Sequence, residues 1–354
     1  MGGGCANLVF LEDDLARALC PVVRIVDLRN WVGVQGDLDL LSKDNLNTAR
    51  ATVLYGINNR YKIGLDNQTF ECVIKGKVLK GTGKSYAPLA PGDQVGVHFD
   101  SSGAVQIVSR GERNTEFSRW NNKRKRPQTM AANLDVVVCI ASPESPPFRP
   151  RFIDRIQVTC EIEKLPLVVI LNKADLGVSR TIEERLRVFQ QTGCQVLKCS
   201  ARNGSNINKV RRLVRKTRSV FVGQSGVGKT SVLNAVLPGL NRKVGEISNK
   251  YNRGTHTTRH GVLIDNPEGG WIVDTPGIRE FEIVEIELSD LTFFFPDLCA
   301  MKDDCLLTKC THDHEPGCAV MDAVQRGDIH VDRYESYLRI LDSMRARTEH
   351  NGQP

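Results

Sequence analysis

Short runs of alternating apolar and polar residues characterise the chain between residues 47 and 118. The runs are Ala51–Tyr55, Phe70–Ile74, Gln94–His98 and Ala104–Val108, separated by the turn signals Asp66–Asn67, Pro91–Asp93 and Ser102–Gly103. Alternation with a period of two is typical of strands that bury one face. Closely spaced short strands with glycine-rich turns predict a small β-barrel or sandwich in this region.

The pattern changes at Leu134, where continuous apolar runs begin to alternate with helical stretches such as Thr181–Gln190. The apolar runs are Leu134–Ile140, Leu167–Leu171, Val196–Cys199, Ser219–Val222 and Trp271–Val273. Apolar strands that alternate with helices indicate a parallel sheet covered on both faces. We therefore predict an α/β domain over residues 134–283.

Three further segments complete the predicted organisation. Residues 1–46 show no readable pattern and form an N-terminal extension, and the polar, basic stretch 119–133 is interpreted as a linker. Beyond Phe281 the pattern becomes mainly helical and includes a cluster of cysteines and histidine. This predicts a helical subdomain over residues 284–354.

A complete G-x-x-x-x-G-K-[ST] motif follows the apolar strand Ser219–Val222. Its residues are Gly223, Gln224, Ser225, Gly226, Val227, Gly228, Lys229 and Thr230, and the predicted helix Ser231–Leu237 follows. The glycines let successive backbone N–H groups face phosphates, and the helix N-terminus adds positive potential. Lys229 would neutralise phosphate charge, and Thr230 would bind Mg²⁺.

Two loops that follow apolar strands fit a guanine site. Asn172, Lys173, Ala174 and Asp175 form an N-K-x-D motif directly after the strand Leu167–Leu171. The Asp175 carboxylate can accept the two N–H groups that guanine presents and adenine lacks, so it would select GTP over ATP. Asn172 would hold neighbouring loops, and the Lys173 stem would cover the base. Ser200 and Ala201 follow the next strand, and we expect the Ala201 N–H to meet guanine O6.

The segment Asp274-Thr-Pro-Gly277 follows another apolar strand and fits a loop that contacts Mg²⁺ and the γ-phosphate. Asp274 would bind Mg²⁺ through a water molecule of its coordination shell, and the Gly277 N–H would donate a hydrogen bond to the γ-phosphate. Between this loop and the phosphate loop, Thr258 is the predicted Mg²⁺ ligand of the GTP state, with Thr257 as the alternative.

Ile278 occupies the position where many GTPases place a glutamine that orients the attacking water. An apolar side chain cannot orient water, so the intrinsic rate should be low unless another group acts. His256 is the nearest candidate in the sequence, and packing or a structural hydrogen bond is the alternative for it. With negligible hydrolysis the chain would instead be a GTP-gated RNA-binding scaffold.

The order of these motifs is unusual, because the N-K-x-D and Ser-Ala loops precede the phosphate loop. Ordinary GTPases begin with the phosphate loop and end with the guanine loops. Since open α/β sheets bind ligands at the carboxyl ends of their strands, the same site can form in a circularly permuted chain. We therefore predict a circularly permuted P-loop GTPase domain, in which the segment after Gly277 lies next to the γ-phosphate.

Three thiols and one imidazole lie close together near the C-terminus. They are Cys305, Cys310, His312 and Cys318. Zn²⁺ favours tetrahedral coordination by sulfur and nitrogen, and four protein ligands leave no open position. We therefore predict a structural zinc site that stabilises a loop-rich segment, and we expect the scattered remaining cysteines to lie in the core.

The composition and length are those of a globular protein with more than one domain. The chain of 354 residues suggests two or three domains, and 25% charged with 40% hydrophobic residues is ordinary for globular proteins. No apolar run approaches the ~18–20 residues that would cross a bilayer, and the start lacks a secretory signal pattern. We expect a cytoplasmic protein whose 11 cysteines are thiols or metal ligands. The net charge of +7 permits a polyanionic partner.

The motifs resemble those of the RsgA/YjeQ family, the circularly permuted GTPases that depend on the small ribosomal subunit. The resemblance rests on Asn172–Asp175, Gly223–Ser231, Gly254–Thr258, Asp274–Gly277, the four Cys/His residues with Glu315–Val320, and Arg333–Leu338. It covers roughly residues 47–345.

This resemblance implies a multidomain α/β protein with an N-terminal OB-fold barrel over residues 47–118, a permuted GTPase domain and a mainly helical zinc subdomain. It implies binding of GTP or GDP with Mg²⁺, one structural Zn²⁺, and action in late maturation of the small ribosomal subunit through its rRNA. The family's functional histidine falls on His256. We expect a monomer without a membrane partner. Thr230 and Thr255 depart from the residues that the family pattern leads us to expect.

Two basic stretches leave alternatives open. Lys123–Arg126 could contact RNA phosphates or be a solvated linker. The residues Arg211, Arg212, Arg215, Lys216 and Arg218 could form a solvated helix face or contact RNA.

Overall fold

The computed structural model describes residues 48–79, 85–101, 103–237, 239–240 and 261–351. The predicted N-terminal extension 1–46 and the switch residues His256, Thr257 and Thr258 lie outside these ranges. Within them, no helix combines the length and the apolar character that crossing a membrane requires.

Five strands at the start of the described chain close into a barrel. They are β1 (Thr48–Ile57), β2 (Arg60–Leu65), β3 (Gln68–Ile74), β4 (Gln94–Phe99) and β5 (Val105–Arg110). Their order is β1-β2-β3-β5-β4, and β1 pairs with both β2 and β4, which closes the barrel. Side chains such as Val53, Ile63 and Ile107 are fully buried inside it. This confirms the predicted OB-fold barrel.

The strand β2 was not predicted from the sequence, although its turn carries a signal. Asn58 and Asn59 both have positive φ, 50° and 63°, in the two-residue connection between β1 and β2. Asparagine tolerates this left-handed conformation, and two such residues in succession form the turn that best matches the twist of a hairpin.

The stretch 119–133 is mostly a β-hairpin, so its interpretation as a linker is wrong. Strand β6 (Glu116–Asn121) pairs antiparallel with β7 (Arg126–Ala132). Phe117 and Ala131 are fully buried in the core of the following domain. A register shift after Phe117 disturbs the alternation, and the exposed turn carries the basic residues, so the sequence pattern resembles a linker.

The second domain is built on a six-stranded sheet. Its strands are β8 (Val136–Ala141), β9 (Leu167–Leu171), β10 (Gln195–Lys198), β11 (Thr217–Gly223), β12 (Val262–Asp265) and β13 (Gly270–Asp274). Their order is β10-β9-β8-β11-β13-β12, and all pairs are parallel except β12 with β13. The antiparallel strand β12 was not predicted, whereas the five parallel strands confirm the predicted apolar runs.

Helices cover both faces of this sheet, as predicted. They are α1 (Pro150–Glu163), α2 (Arg180–Gln191), α3 (Ile207–Val214) and α4 (Lys229–Val236). Successive β8 side chains alternate between the faces, because Cys139 packs in the cluster with α1 and α2 while Val138 and Ile140 pack with α3 and α4. A strand buried on both faces is continuously apolar, which explains the sequence pattern.

The C-terminal part is mainly helical, which confirms that prediction. A 3₁₀ helix at Leu288–Phe294 comes first, followed by α5 (Pro296–Cys299) and a second 3₁₀ helix at Lys302–Asp304. The helices α6 (Ala319–Arg326) and α7 (Val331–Asn351) follow. Its core contains Phe295, Tyr337 and Leu341, and Val158 of α1 belongs to the same cluster. Helix α1 therefore serves both the sheet domain and the helical subdomain.

A buried ionic network joins α1, α2 and α7. The Arg333 guanidinium is fully buried, with Nη1 2.6 Å from Asp154 Oδ1 and Nε 3.1 Å from Asp297 Oδ2. Asp154 Oδ2 also accepts hydrogen bonds from Arg185 Nη2, at 2.8 Å, and from Ser336 Oγ. Burial opposes the charge on Arg333, but the attraction of Asp297 and Asp154 outweighs it and raises the pKa of Arg333 above its usual range.

We expect Asp154→Ala to lower the free energy of unfolding by about 3–5 kcal/mol, because it leaves two buried guanidinium groups without their shared counter-ion. Glu184→Ala is the control, since it removes an exposed pair with Arg180 and should cost about 0.5 kcal/mol or less. Urea unfolding followed by circular dichroism measures both. Equal losses in the two variants would contradict the special role of the network.

Candidate functional site

The predicted nucleotide motifs meet at one edge of the sheet. The phosphate loop follows β11, Asn172–Asp175 follows β9, Ser200–Ala201 follows β10, and Asp274–Gly277 follows β13. These strands are parallel, so their carboxyl ends lie at the same edge. This is where open α/β sheets bind ligands.

The phosphate loop is held in its curled shape by its own residues. Gly226 and Gly228 have φ of +87° and +92°, which favours glycine, and Gly228 caps helix α4. Lys229 Nζ donates to the carbonyl oxygens of Gly223 and Gln224, at 2.8 and 3.0 Å. Helix α4 begins at Lys229, two residues before the predicted start, so Thr230 and Ser231 lie in its first turn.

The buried lysine of this loop is less basic than an ordinary lysine. Burial lowers the pKa of Lys229 to about 8, although the nearby Asp274 carboxylate favours the charged form. An added phosphate would supply further negative charge next to the ammonium and would raise its pKa again. The loop therefore gains electrostatic stabilisation when a polyphosphate binds.

Asn172 joins the phosphate loop to the guanine loops. Its side chain is 2% exposed, and its Nδ2 donates to Val227 O at 2.9 Å. Its Oδ1 accepts the Ala201 N–H at 3.1 Å. A Cβ at Gly228 would lie 2.3 Å from Asn172 Nδ2, so this position requires glycine.

The Ala201 N–H has a partner within the protein that the sequence analysis did not name. It donates to Asn172 Oδ1, and its contact with guanine O6 stays a prediction. Ala201 therefore helps to fix the orientation of the Asn172 amide. The sequence shows which residues are present in the two loops, whereas the partner of one backbone N–H depends on how close the loops lie.

The lysine of the N-K-x-D motif also lies across the phosphate loop. Lys173 Nζ donates to Gly226 O at 2.8 Å and to Ser145 O at 2.5 Å. Asp175 is exposed in the short 3₁₀ helix that follows, with Ala174 beside it. The Asp175 carboxylate is thus accessible at the edge of the candidate nucleotide site, as a group that hydrogen-bonds to a base must be.

The D-T-P-G loop lies directly against the phosphate loop. A Cβ at Gly277 would lie 2.6 Å from Ser225 Cα, so only glycine fits there. Asp274 is 1% exposed, and Thr275 Oγ1 donates to Phe221 O at 2.7 Å. The next residue, Ile278, is buried in the domain core, and its N–H donates to Gly223 O at 3.1 Å.

The predicted metal ligands also come together. The candidate ligand atoms of Cys305, Cys310, His312 and Cys318 all lie within 4.8 Å of one another. His312 Nδ1 is 3.5 Å from Cys305 Sγ and 3.4 Å from Cys318 Sγ. No disulfide joins cysteines in the described part of the chain. Three thiols with one imidazole form a donor set that can hold a metal ion.

Two comparisons with known sequences bear on this site. The family model described as RsgA GTPase matches residues 110–284. A relative from Borreliella afzelii, named small ribosomal subunit biogenesis GTPase RsgA, is 36% identical over 303 residues, which cover 85% of this chain and 98% of the relative.

The chain belongs to the RsgA GTPase family.

Two solved structures share the fold of this family member. YjeQ from Thermotoga maritima has a TM-score of 0.64 at 26% identity and covers 87% of this chain and 100% of its own. YloQ, titled a circularly permuted GTPase, has a TM-score of 0.62 at 22% identity and covers 87% of this chain and 98% of its own. The permuted order of the motifs agrees with these folds. As a member of the RsgA GTPase family, the chain is a GTP hydrolase.

The sequence analysis used Glu315, Tyr334 and Tyr337 only for the family resemblance and did not predict that they support the metal cluster of this RsgA-family chain. The Glu315 carboxylate accepts the N–H groups of Thr311 and Asp313, at 2.7 and 3.0 Å. Burial disfavours the charged form of this carboxylate and acts to raise its pKa. The hydrogen bonds it accepts, led by those from Thr311, outweigh burial and hold the pKa of Glu315 well below its usual range. Tyr334 and Tyr337 donate to the carbonyls of His312 and Thr311, at 2.6 and 2.8 Å.

Two arginines of the second basic stretch have structural partners. Arg211 donates to Val236 O and Ala235 O, at 3.1 and 2.9 Å, and thereby satisfies carbonyls at the C-terminus of α4. Arg218 Nη2 lies 2.6 Å from Asp135 Oδ1. These contacts occupy the two guanidinium groups with protein partners, a role that the sequence analysis did not consider.

We expect Asn172→Ala to weaken nucleotide binding by about 10- to 100-fold, because it leaves Val227 O and the Ala201 N–H without their shared partner. Asn208→Ala is the control, since among the described residues the Asn208 side chain makes only one hydrogen bond, an exposed one accepted from Arg211. Titration with a fluorescent GDP analogue measures both affinities. Unchanged affinity in the Asn172 variant would contradict the bridging role.

Proposed function

We propose that this chain hydrolyses GTP to GDP and phosphate during late maturation of the small ribosomal subunit, which it binds through rRNA. The observation that carries the proposal is the junction at Asn172, where one buried amide holds the phosphate loop and the guanine loop of a permuted chain together. The relative from Borreliella afzelii is named for biogenesis of the small ribosomal subunit, and this chain matches it over 98% of its length.

The edge of the sheet would hold the nucleotide. The backbone N–H groups of residues 223–229 face the phosphates, and the Lys229 ammonium neutralises their charge. Asp175 accepts the guanine N–H pair at the rim, and the stem of Lys173 covers the base. Mg²⁺ would be held by Thr230, by Asp274 through water and, in the GTP state, by Thr258. Asp274 suits this role because its carboxylate is buried beside the phosphate loop.

His256 is the proposed catalytic residue. The burial of Ile278 supports this assignment indirectly, because a core side chain at 4% exposure cannot reach a water in front of the γ-phosphate. Another group must therefore orient or activate that water.

The other two parts of the chain have supporting roles. Zn²⁺ is the metal that best fits three thiolates and one imidazole, and it would be structural because four protein ligands leave no open position. The five-stranded barrel is of a type that binds nucleic acids, and excess positive charge suits rRNA. We further propose that the protein acts as a monomer in the cytoplasm, without a membrane partner.

We expect small ribosomal subunits to raise GTP turnover about tenfold or more, which is ~1.4 kcal/mol of barrier, while large subunits leave it unchanged. Turnover is measured without ribosomes and with each subunit, at fixed Mg²⁺ and salt. Lys229→Ala controls for contaminating activity and should abolish turnover in every condition. If neither subunit stimulates while GTP still binds, the proposal is wrong and the GTP-gated scaffold is the better description.

We expect Cys310→Ser to lose bound zinc and to unfold at lower temperature, since three remaining ligands hold the metal less tightly. Cys299→Ser is the control, because Cys299 is half-buried in the same subdomain but outside the cluster. Mass spectrometry of purified protein gives the metal content. One zinc per chain in the Cys310 variant would refute this ligand set.

A further inference from the structure

We propose that the loop between β8 and α1, residues 142–149, holds the phosphate loop in its nucleotide-binding shape. Ser145 is the positioning residue of this β8–α1 loop, and it acts through the ammonium of Lys173. The inference rests on the proposed binding of GTP and GDP at the site described above. It goes beyond that function because the β8–α1 loop contains none of the phosphate, guanine or metal motifs.

Three residues with a left-handed backbone meet at the Lys173 ammonium. Ser145, Lys173 and Gly226 have φ of 49°, 62° and 87°. Lys173 Nζ donates to Ser145 O at 2.5 Å and to Gly226 O at 2.8 Å. Hydrogen bonds from a charged donor are shorter and stronger than those between neutral groups. One cation therefore joins the β8–α1 loop to the phosphate loop.

Ser145 adopts a conformation that a serine does not favour. A residue with a Cβ rarely takes positive φ, because the Cβ then crowds the backbone. The Ser145 side chain is exposed and makes no hydrogen bond among the described residues, so its own contacts do not explain the conformation. Such residues persist only where their surroundings hold them, and they cluster at functional sites. The group that this conformation presents to Lys173 is the Ser145 carbonyl.

The β8–α1 loop also packs against the phosphate loop. A Cβ at Gly226 would lie 3.3 Å from Pro146 Cδ and 3.9 Å from Ser145 O. The β8–α1 loop is itself held from its buried end, because Ser142 is 1% exposed and its Oγ donates to Pro146 O at 2.9 Å. The contact with Gly226 is thus made by a loop whose own position is fixed.

The bond between Lys173 and Gly226 decides where the phosphate loop directs a donor. In a trans peptide the C=O of one residue and the N–H of the next point in opposite directions. Because Lys173 binds the Gly226 carbonyl on one side, the Val227 N–H points to the other. Asn172 acts in the same way on the following peptide, since its Nδ2 binds Val227 O. Both carbonyls are bound to side chains, which leaves the N–H groups of Val227 and Gly228 for a phosphate.

Loss of the Ser145 contact should lower nucleotide affinity and leave the chemical step intact. Without Ser145 O, the described residues hold the Lys173 ammonium through one carbonyl only, and the Gly226–Val227 peptide is free to rotate. A nucleotide must then order this peptide when it binds, which makes binding less favourable. GTP and GDP use the same phosphate loop, so both should bind more weakly, and a bound GTP should react as before.

The test is Ser145→Val in the full chain, because a β-branched residue resists positive φ. We expect the affinity for a fluorescent GDP analogue to fall about tenfold, mainly through faster release. KM for GTP should rise by a similar factor, with kcat near its original value. Ser145→Gly is the conservative variant and should bind GDP more tightly than Ser145→Val, since glycine adopts positive φ without strain.

A double-mutant cycle shows whether Ser145 acts through Lys173. Lys173→Met removes the ammonium and keeps an unbranched side chain. Adding Ser145→Val to Lys173→Met should then change the GDP affinity by less than about twofold, because the shared contact is already lost. A further loss of about tenfold in the double variant would show that Ser145→Val does not act through the ammonium, and the proposal would be wrong.

Lys164→Val is the matched control. Lys164 is also an exposed non-glycine residue with positive φ, 54°, but it follows the C-terminus of α1, at the other end of that helix from the β8–α1 loop. This variant should unfold at a lower temperature and keep the original GDP affinity.

Two outcomes separate this inference from the ribosomal function. Equal GDP affinity in Ser145→Val and in the unchanged protein would overturn the inference alone. If neither ribosomal subunit stimulates hydrolysis while Ser145→Val still weakens GDP binding, the ribosomal function fails and the inference stands.

Discussion

The candidate nucleotide site depends on one buried side-chain amide. Asn172 satisfies an acceptor in the phosphate loop and a donor in the Ser-Ala loop, and both loops approach it too closely for any water to intervene. In a permuted chain these loops are far apart in sequence, so no local turn can bring them together. A short, planar group with one donor end and one acceptor end is the simplest physical solution. The glycine at 228 exists to let that amide approach.

The helical subdomain is attached to the GTPase domain by buried ionic contacts to Asp154. Four residues of α7 serve two functions, because Arg333 and Ser336 bind Asp154 of α1 while Tyr334 and Tyr337 bind carbonyls of the metal loop. The metal cluster and the domain junction are therefore built on one helix turn. The contact from this part of α7 to α1 is fully buried, since the side chains of Arg333 and Asp154 are both 0% exposed.

The segment after the D-T-P-G loop, residues 278–283, is held by two distant parts of the chain. The backbone N–H of Trp120 in β6 donates to Glu282 O, and Arg347 of α7 donates to Ile283 O. The apolar residue at 278 is consistent with this arrangement, because it anchors the segment in the core. The loop that would contact the γ-phosphate is thus followed directly by a segment that β6 and α7 fix in place.

The sequence by itself determined the architecture and the chemical groups. Parallel strands buried on both faces leave continuous apolar runs, phosphate loops need glycine and lysine at set spacings, and a metal needs thiols and an imidazole close together, so all three can be read locally. Tertiary structure alone decided the partners of groups whose neighbours are distant in sequence. Examples are the Ala201 N–H bonded to Asn172, Arg211 bonded to the last carbonyls of α4, and the basic stretch folded as a hairpin. A hydrogen bond or a buried ion pair depends on the positions of both partners, whereas a sequence pattern describes the neighbourhood of only one partner at a time.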